Sequence, residues 1–344
     1  MSVRAQRGFN LPEILIALAL GLFLLGAFLT VVACCRDQFT ANESVARLQD
    51  GARHALGVIG DDLEHAGFWG FSNAATPRLV SGAVRLAAAA ELRQDETIAP
   101  VTGLPAGAHA CGINFAVDVS RPVEGHNNGF GVGREARDCE PTATAGGARV
   151  GSDTLTVRHA SAVTAAAHDG RIQLYARRLA AHASLDLFSD GRAPGVIAED
   201  AQVRDLEVHV WYVANDSVEH PGWPALRVKS LTESRGTAQF RDEEVLPGVE
   251  DLQVEFAFGD GTHIRWVTPD SPLIRTGPVL AVRVWLRIRS DASEPGFVDA
   301  RPLAYSDATF LPTPVESRQR RMLVQRTVAL RNVPRHEARN ADPP

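Results

Sequence analysis

The chain has 344 residues, of which 45% are apolar, 22% charged and 6% aromatic, with a formal net charge of -6. That content can bury a sizeable core in one large domain or two small ones, and the negative balance argues against a general nucleic-acid binder. Its four cysteines lack the paired C-x-x-C or Cys/His spacing of zinc sites, so no metal or cofactor is expected.

A short basic leader with Arg4 and Arg7 ends at Gly8 and runs into Phe9-Asn10-Leu11-Pro12-Glu13 and an uncharged apolar stretch from Ile14 to Cys35. About 20 residues rising 1.5 Å each cross a bilayer's hydrocarbon core, so the stretch predicts a membrane helix. Positive charge before it places the amino terminus in the cytoplasm and the bulk of the chain across the membrane. Glu13 is the anomaly. A carboxylate entering hydrocarbon costs a few kcal/mol and persists where something compensates for it; snorkelling to the interface is the plainer alternative. Pro12 falls in the first turn, where backbone N–H groups have no intrahelical partner, and costs little there.

The Gly8-Phe9 junction with Glu13 four residues further on resembles the class III signal of type IV pilins and pseudopilins. The resemblance implies that a membrane prepilin peptidase cuts after Gly8 and methylates the new amino terminus on Phe9. It also implies that Glu13 pairs with the Phe9 ammonium of a neighbouring subunit, so that two charges costly in lipid offset one another. Gly8 and Phe9 are then processing residues, and Phe9 and Glu13 assembly residues; 1–8 is leader and 9–35 the membrane and assembly segment. A rival signal, Val31-Val32-Ala33-Cys34, loosely resembles a lipobox. A lipoprotein's apolar region of 7–15 residues is shorter than this one.

Beyond Cys35 the helix turns one-sided. Val45, Leu48, Ala52, Leu56, Ile59, Leu63 and Ala66 recur at steps of three or four, with Arg47, Asp50, Arg53, His54, Asp61 and Asp62 off that stripe. Gly67 suits the C′ position that ends a helix. Gly51, Gly57 and Gly60 weaken its middle by up to about 1 kcal/mol each. Residues 46–56, then Asp62-Leu63-Glu64-His65-Ala66-Gly67 with the turn Phe68-Trp69-Gly70-Phe71, resemble the second half of the long helix in PilW-type minor pilins. This implies an α+β, pilin-like fold: a long N-terminal helix, its second half at 36–67, packed on an antiparallel β-rich domain at 68–334. The polar tail at 335–344 is expected to be disordered.

One short helix is expected near Ala87 to Leu92. Cys111 and Cys139 flank a Gly-rich segment, and in an oxidising compartment the pair is expected to close a loop of about 30 residues, worth roughly 3–4 kcal/mol. Thereafter the period is two. Leu155 and Val157, Ile172 and Leu174, and Leu206, Val208, Val210 and Tyr212 alternate with polar neighbours as half-buried strands do. Leu252, Val254, Phe256 and Phe258 oppose Gln253 and Glu255; Leu280, Val282, Val284, Leu286 and Ile288 oppose Arg283, Trp285, Arg287 and Arg289. Gly259-Asp260-Gly261 reads as a hairpin turn into a strand through Ile264 and Trp266. The last strand, Met322 to Asn332, puts Met322, Val324, Val328 and Leu330 on one side with Arg326 out of place, which an edge or bulge would explain. Family-like phrases recur at Gly151-Ser152-Asp153-Thr154-Leu155-Thr156-Val157-Arg158, at Leu246-Pro247-Gly248-Val249-Glu250-Asp251-Leu252 and at Thr327-Val328-Ala329-Leu330-Arg331-Asn332.

No G-x-S-x-G elbow, H-E-x-x-H pair or Walker loop is present, so the chain does not read as an enzyme. Gly129, Gly131 and Gly133 lack phosphate-loop spacing and read as loop residues. Eleven histidines are scattered without a ligand pattern. The arginines of the last strands suit solvated faces better than a basic strip for DNA. The resemblance thus implies a minor pilin, a structural and assembly-priming subunit whose partners are the prepilin peptidase, other minor pilins and the major pilin. It would lie in the inner membrane before assembly and in the pilus afterwards. A secretion-system pseudopilin, or a tip module binding nucleic acid or a host surface, are the rivals.

Overall fold

A computed structural model of the protein describes residues 10–71, 78–81, 84–85, 104–132, 139–141, 145–178, 183–218, 220–259, 263–275, 278–294 and 296–332. Gly8, Phe9, the expected helix at 87–92, the hairpin tip Asp260-Gly261 and the tail after Asn332 lie outside the described residues.

Helix α1 runs unbroken for 55 residues, Leu11–His65, about 82 Å at the standard rise. Gly67, at φ +75°, takes the left-handed conformation that stops it. Every residue from 11 to 40 is exposed; docking onto the domain begins at Ser44.

The strands are β1 (Arg78–Ser81), β2 (Val84–Arg85), β3 (Val123–His126), β4 (Thr154–Ala160), β5 (Asp169–Arg178), β6 (Ala183–Asp190), β7 (Ala201–Ala214), β8 (Ala225–Ser234), β9 (Thr237–Pro247), β10 (Val249–Gly259), β11 (Ile264–Val267), β12 (Val279–Ser293), β13 (Leu303–Tyr305), β14 (Ala308–Phe310) and β15 (Gln319–Ala329). The first nine form one sheet, ordered β2-β1-β6-β5-β7-β4-β3, with β8 between β7 and β9. Its spine is β7, whose first half pairs β5 and whose second half pairs β4 and β8. A second sheet, β11-β10-β12-β15, is antiparallel throughout, and β13-β14 is a separate hairpin.

Two cores result. Leu48, Ala52, Ala55, Ile59 and Leu63 of α1 pack with Leu155, Val157, Trp211 and Val213 of the large sheet and with Leu252, Val254, Val282, Val284 and Leu286 of the small one. On the other face of the large sheet, Leu206, Val208, Val210 and Tyr212 pack with Ala108, Phe115, Val117, Phe130 and Cys139 of the preceding loops. The alternation expected for β4 and β7 is therefore present, but these strands are not half-buried. Both faces are covered, and β4 is buried along its whole length.

Two departures in β10, β12 and β15 have local causes. A register shift between Ala257 and Phe258 pairs Phe258 with Val279, so Val279 joins the core and Leu280 falls out of the expected alternation. Arg326 lies on β15, at the edge of its sheet, and turns onto α1. Its guanidinium donates to the Leu56 carbonyl at 3.1 Å and pairs with Glu64 at 3.0 Å. Gly60 makes that approach possible, because a Cβ there would lie 2.2 Å from Arg326 Nη1.

Candidate functional site

The free arm of α1 carries the sequence-predicted assembly residue. Glu13 occupies the third helical position, and its Oε2 accepts the Asn10 backbone N–H at 3.0 Å. That is the backward half of a capping box, a local role that the sequence reading did not include. Glu13, Ile14, Ala17 and Leu18 share one exposed side of the arm. The helix's most apolar stretch has a mean hydropathy of 2.7 and is long and apolar enough to cross a membrane. Cys34 and Cys35 are exposed free thiols within the same unbroken helix.

Cys111 and Cys139 are disulfide-bonded, their Cα atoms 5.1 Å apart. Arg158, on β4, secures the same covering segment: its guanidinium donates to the Phe115 and Arg121 carbonyls and pairs with Glu124 at 3.0 Å. Of the three loop glycines, Gly133 lies outside the described residues; a Cβ at Gly131 would meet the His126 ring at 2.4 Å, so close packing explains that glycine.

The side chains of Arg287 of β12 and Arg321 of β15 are buried and not solvated. Arg321 grips Glu250 with two 2.8 Å bonds, and Arg287 reaches the same carboxylate at 3.1 Å and the Tyr305 hydroxyl at 2.6 Å. Tyr305 in turn donates to Asp251 at 2.6 Å. Phe310 lies 3.9 Å from the Arg287 guanidinium and 4.9 Å from that of Arg321. Glu250 meets both because the β10–β12 register shifts between Val249 and Asp251, turning it out of the ladder. The β13-β14 hairpin, by supplying Tyr305 and Phe310, makes this a covered network.

Ser152 and Asp153, in one family-like phrase, bind the backbone of another. The Leu252 N–H donates to Ser152 Oγ at 3.0 Å, and Asp153 accepts the N–H groups of Val254 and Asn128, each at 2.8 Å. These bonds tie the small sheet to the large one. Burial pushes the Asp153 carboxyl up to about 7, although the two backbone donors work the other way.

The feature that sequence reasoning missed lies where α1 meets the large sheet. Asp62 is buried, and its Oδ1 stands 2.8 Å from His159 Nε2 and 2.7 Å from His209 Nδ1. Its Oδ2 accepts the Trp211 indole N–H at 2.6 Å. His159 and His209 sit diagonally across the β4–β7 pairing, where Val157 faces His209 and His159 faces Glu207. Burial disfavours the Asp62 carboxylate, yet His209 and His159 hold it well below its usual range; both imidazoles are raised in return, burial notwithstanding, by Asp62. The available signal was the alternation of β7. Once Leu206, Val208 and Val210 face one core, His209 and Trp211 face whatever covers the other side.

With this geometry in view, comparison with known proteins adds a family match over part of the chain. Residues 210–332 match the family model of the type IV pilus-assembly protein W. The PilW-like region thus begins within β7 and takes in the small sheet, the Glu250 network and β15, the strand against which α1 docks. A type IV-like pilin, TTHA1219 from Thermus thermophilus, is 14% identical, with a TM-score of 0.26 over 57% of this chain and 83% of that one; a likeness so distant carries no residue roles. No curated protein matches the chain. One long apolar N-terminal helix on an antiparallel β-rich domain, with a PilW-like carboxyl-terminal part, is the architecture of this protein.

Proposed function

We propose that the protein is a minor pilin, a structural subunit that primes type IV pilus assembly after a prepilin peptidase removes the leader at Gly8. The observation carrying this reading is the joining of a PilW-like domain to an arm of α1 that is exposed from residue 11 to 40. Such an arm is apolar all round from Ile14 to Cys35 and finds its counterpart surface in the bilayer before assembly, and in the helices of other minor pilins and the major pilin afterwards. The β-rich domain remains outside the inner membrane and carries partner specificity. Phe9 is the new, methylated amino terminus, and Glu13 meets that of an adjoining subunit.

The capping bond of Glu13 sets the form of the test. Glu13→Gln keeps an oxygen to accept the Asn10 N–H but removes the charge, whereas Glu13→Val removes both; the capping bond itself is worth about 0.3–1.5 kcal/mol. Both variants are expected to be cleaved at Gly8 and to lose piliation, counted by electron microscopy beside the mass of the mature amino terminus. Normal pili from Glu13→Gln with failure of Glu13→Val would reduce Glu13 to a cap. A native chain still beginning at Met1, or acylated at Cys34, would remove the pilin reading altogether. Lost secretion with unchanged pili after deletion would assign the subunit to a pseudopilus.

A further inference from the structure

The cluster at the end of α1 has the donor set and the supporting bonds of a metal centre. Its three convergent atoms, Asp62 Oδ1, His159 Nε2 and His209 Nδ1, lie within 4.8 Å of one another. Two imidazole nitrogens and one carboxylate oxygen suit a borderline first-row ion and not calcium or magnesium, which prefer all-oxygen sites. Two of the three ligands are oriented from behind. The far nitrogen of His159, Nδ1, lies 2.9 Å from the Ala160 carbonyl, and the second oxygen of Asp62 is held by Trp211. Metal-binding histidines and carboxylates are commonly held by such outer bonds, which fix ring orientation and tautomer.

Spacing and access agree with this reading. Two ligands of a tetrahedral zinc at 2.0–2.1 Å stand about 3.3 Å apart, so the 2.7 and 2.8 Å separations need to open by about half an ångström. Asp62 and His159 are buried, but the His209 side chain is 24% exposed, leaving an entry from solvent. Glu207, 3.6 Å from His159 Nδ1, and His65, whose ring is tilted 36° to that of His159 at 5.6 Å, border the site.

We propose that Asp62, His159 and His209 bind a zinc-class divalent ion, with water in the fourth position, which pins the last turns of α1 to β4 and β7. The ion cross-links α1 to the large sheet, with a fourth, water-filled position left open. This proposal stands independently of the pilus reading.

The test uses the full chain in detergent, freed of any histidine tag, stripped with chelator and reloaded with Zn2+ or Co2+. The stripped protein should take up about one Zn2+ per chain, show the intense visible absorption of four-coordinate Co2+, and melt at a higher temperature when loaded. Trp211→Phe should weaken Zn2+ binding about 10–100-fold. The His159→Gln/His209→Gln double variant should abolish it, and His54→Gln, on the exposed side of α1, should change nothing. Failure of wild-type protein to retain Zn2+, a weak Co2+ spectrum like that of the hydrated ion, or undiminished binding by the double variant would overturn the proposal and leave a hydrogen-bonded clamp only. Should the double variant fail to fold, X-ray absorption of the zinc-loaded wild type decides. Two imidazoles at about 2.0–2.1 Å support the site, and one or none overturns it.

Discussion

The two halves of α1 share one continuous backbone and invert each other's chemistry. The free half, apolar to Cys35, buries nothing within the chain, while the docked half, rich in charge, buries Asp62 and anchors Arg326. Apolar content alone therefore does not decide which part of a helix docks. A stripe does, because a sheet can cover only one side of a cylinder; a helix apolar all round needs a surrounding medium. The docked half is held by a stripe of small and aliphatic residues, with polar contacts placed where the stripe would otherwise leave a gap.

Substitutions that separate the halves can be ranked by expected effect. The largest falls on the sheet beneath the docked half. Glu250→Gln takes the charge from a buried carboxylate facing Arg287 and Arg321, and such losses cost about 3–5 kcal/mol. The thermal midpoint followed by circular dichroism should fall by about 10 °C; an unchanged midpoint would mean that the network is not what holds β10, β12 and β15 together.

The direct comparison is Leu63→Ala against Leu22→Ala. Leu63 is fully buried and its truncation should cost about 2–5 kcal/mol, whereas Leu22 is 61% exposed and its truncation should leave domain unfolding unchanged. Equal effects would break the distinction between free and docked halves.

Asp153 offers a pH test confined to the docked region. Its carboxyl is raised from 3.8 to about 7 in the folded chain, so the folded state binds the proton more tightly than the unfolded one. The stability contribution is full below pH 3.8 and is lost as pH rises through about 7. Urea midpoints across that range should carry this decline in the wild type and lack it in Asp153→Asn. That variant also sets an amide N–H against one backbone donor, at about 1–3 kcal/mol.

The smallest effects have opposite signs within one helix. Gly57 has open space where a Cβ would stand, so Gly57→Ala should stabilise by up to about 1 kcal/mol. Gly60→Ala gains the same propensity but displaces Arg326 from Leu56 and Glu64, charge-assisted bonds worth about 1.5–3 kcal/mol. It should be destabilising on balance.

Much of the architecture was legible in the residues. The apolar run, the stripe from Leu48 to Leu63 and the Gly67 stop describe α1 closely, and the alternating runs fall on β4, β5, β7, β10, β12 and β15. Less visible was what each strand's second face met. Gln253 reads as a solvent-facing partner of Leu252, yet it is fully buried, its amide donating to the Gly151 carbonyl at 2.8 Å. Arg287 reads as a solvated cation because nothing in its own strand announces Glu250 or the Tyr305 hairpin. Asp62 reads as lying off the apolar stripe because neither histidine is near it in the chain.

What the sequence by itself determined was periodicity and punctuation: where a helix is long, where it stops, where strands alternate. These are local properties, written by side-chain order along a backbone with few allowed shapes. Only the tertiary structure decided that both faces of β7 are covered, that Arg287, Arg321 and Arg326 are paired, and that Asp62 meets His209 across 147 positions. Such pairings depend on sheet order and on the angle at which α1 lies across it. A long chain has many ways to satisfy its local periods and settles among them by burying every face at once.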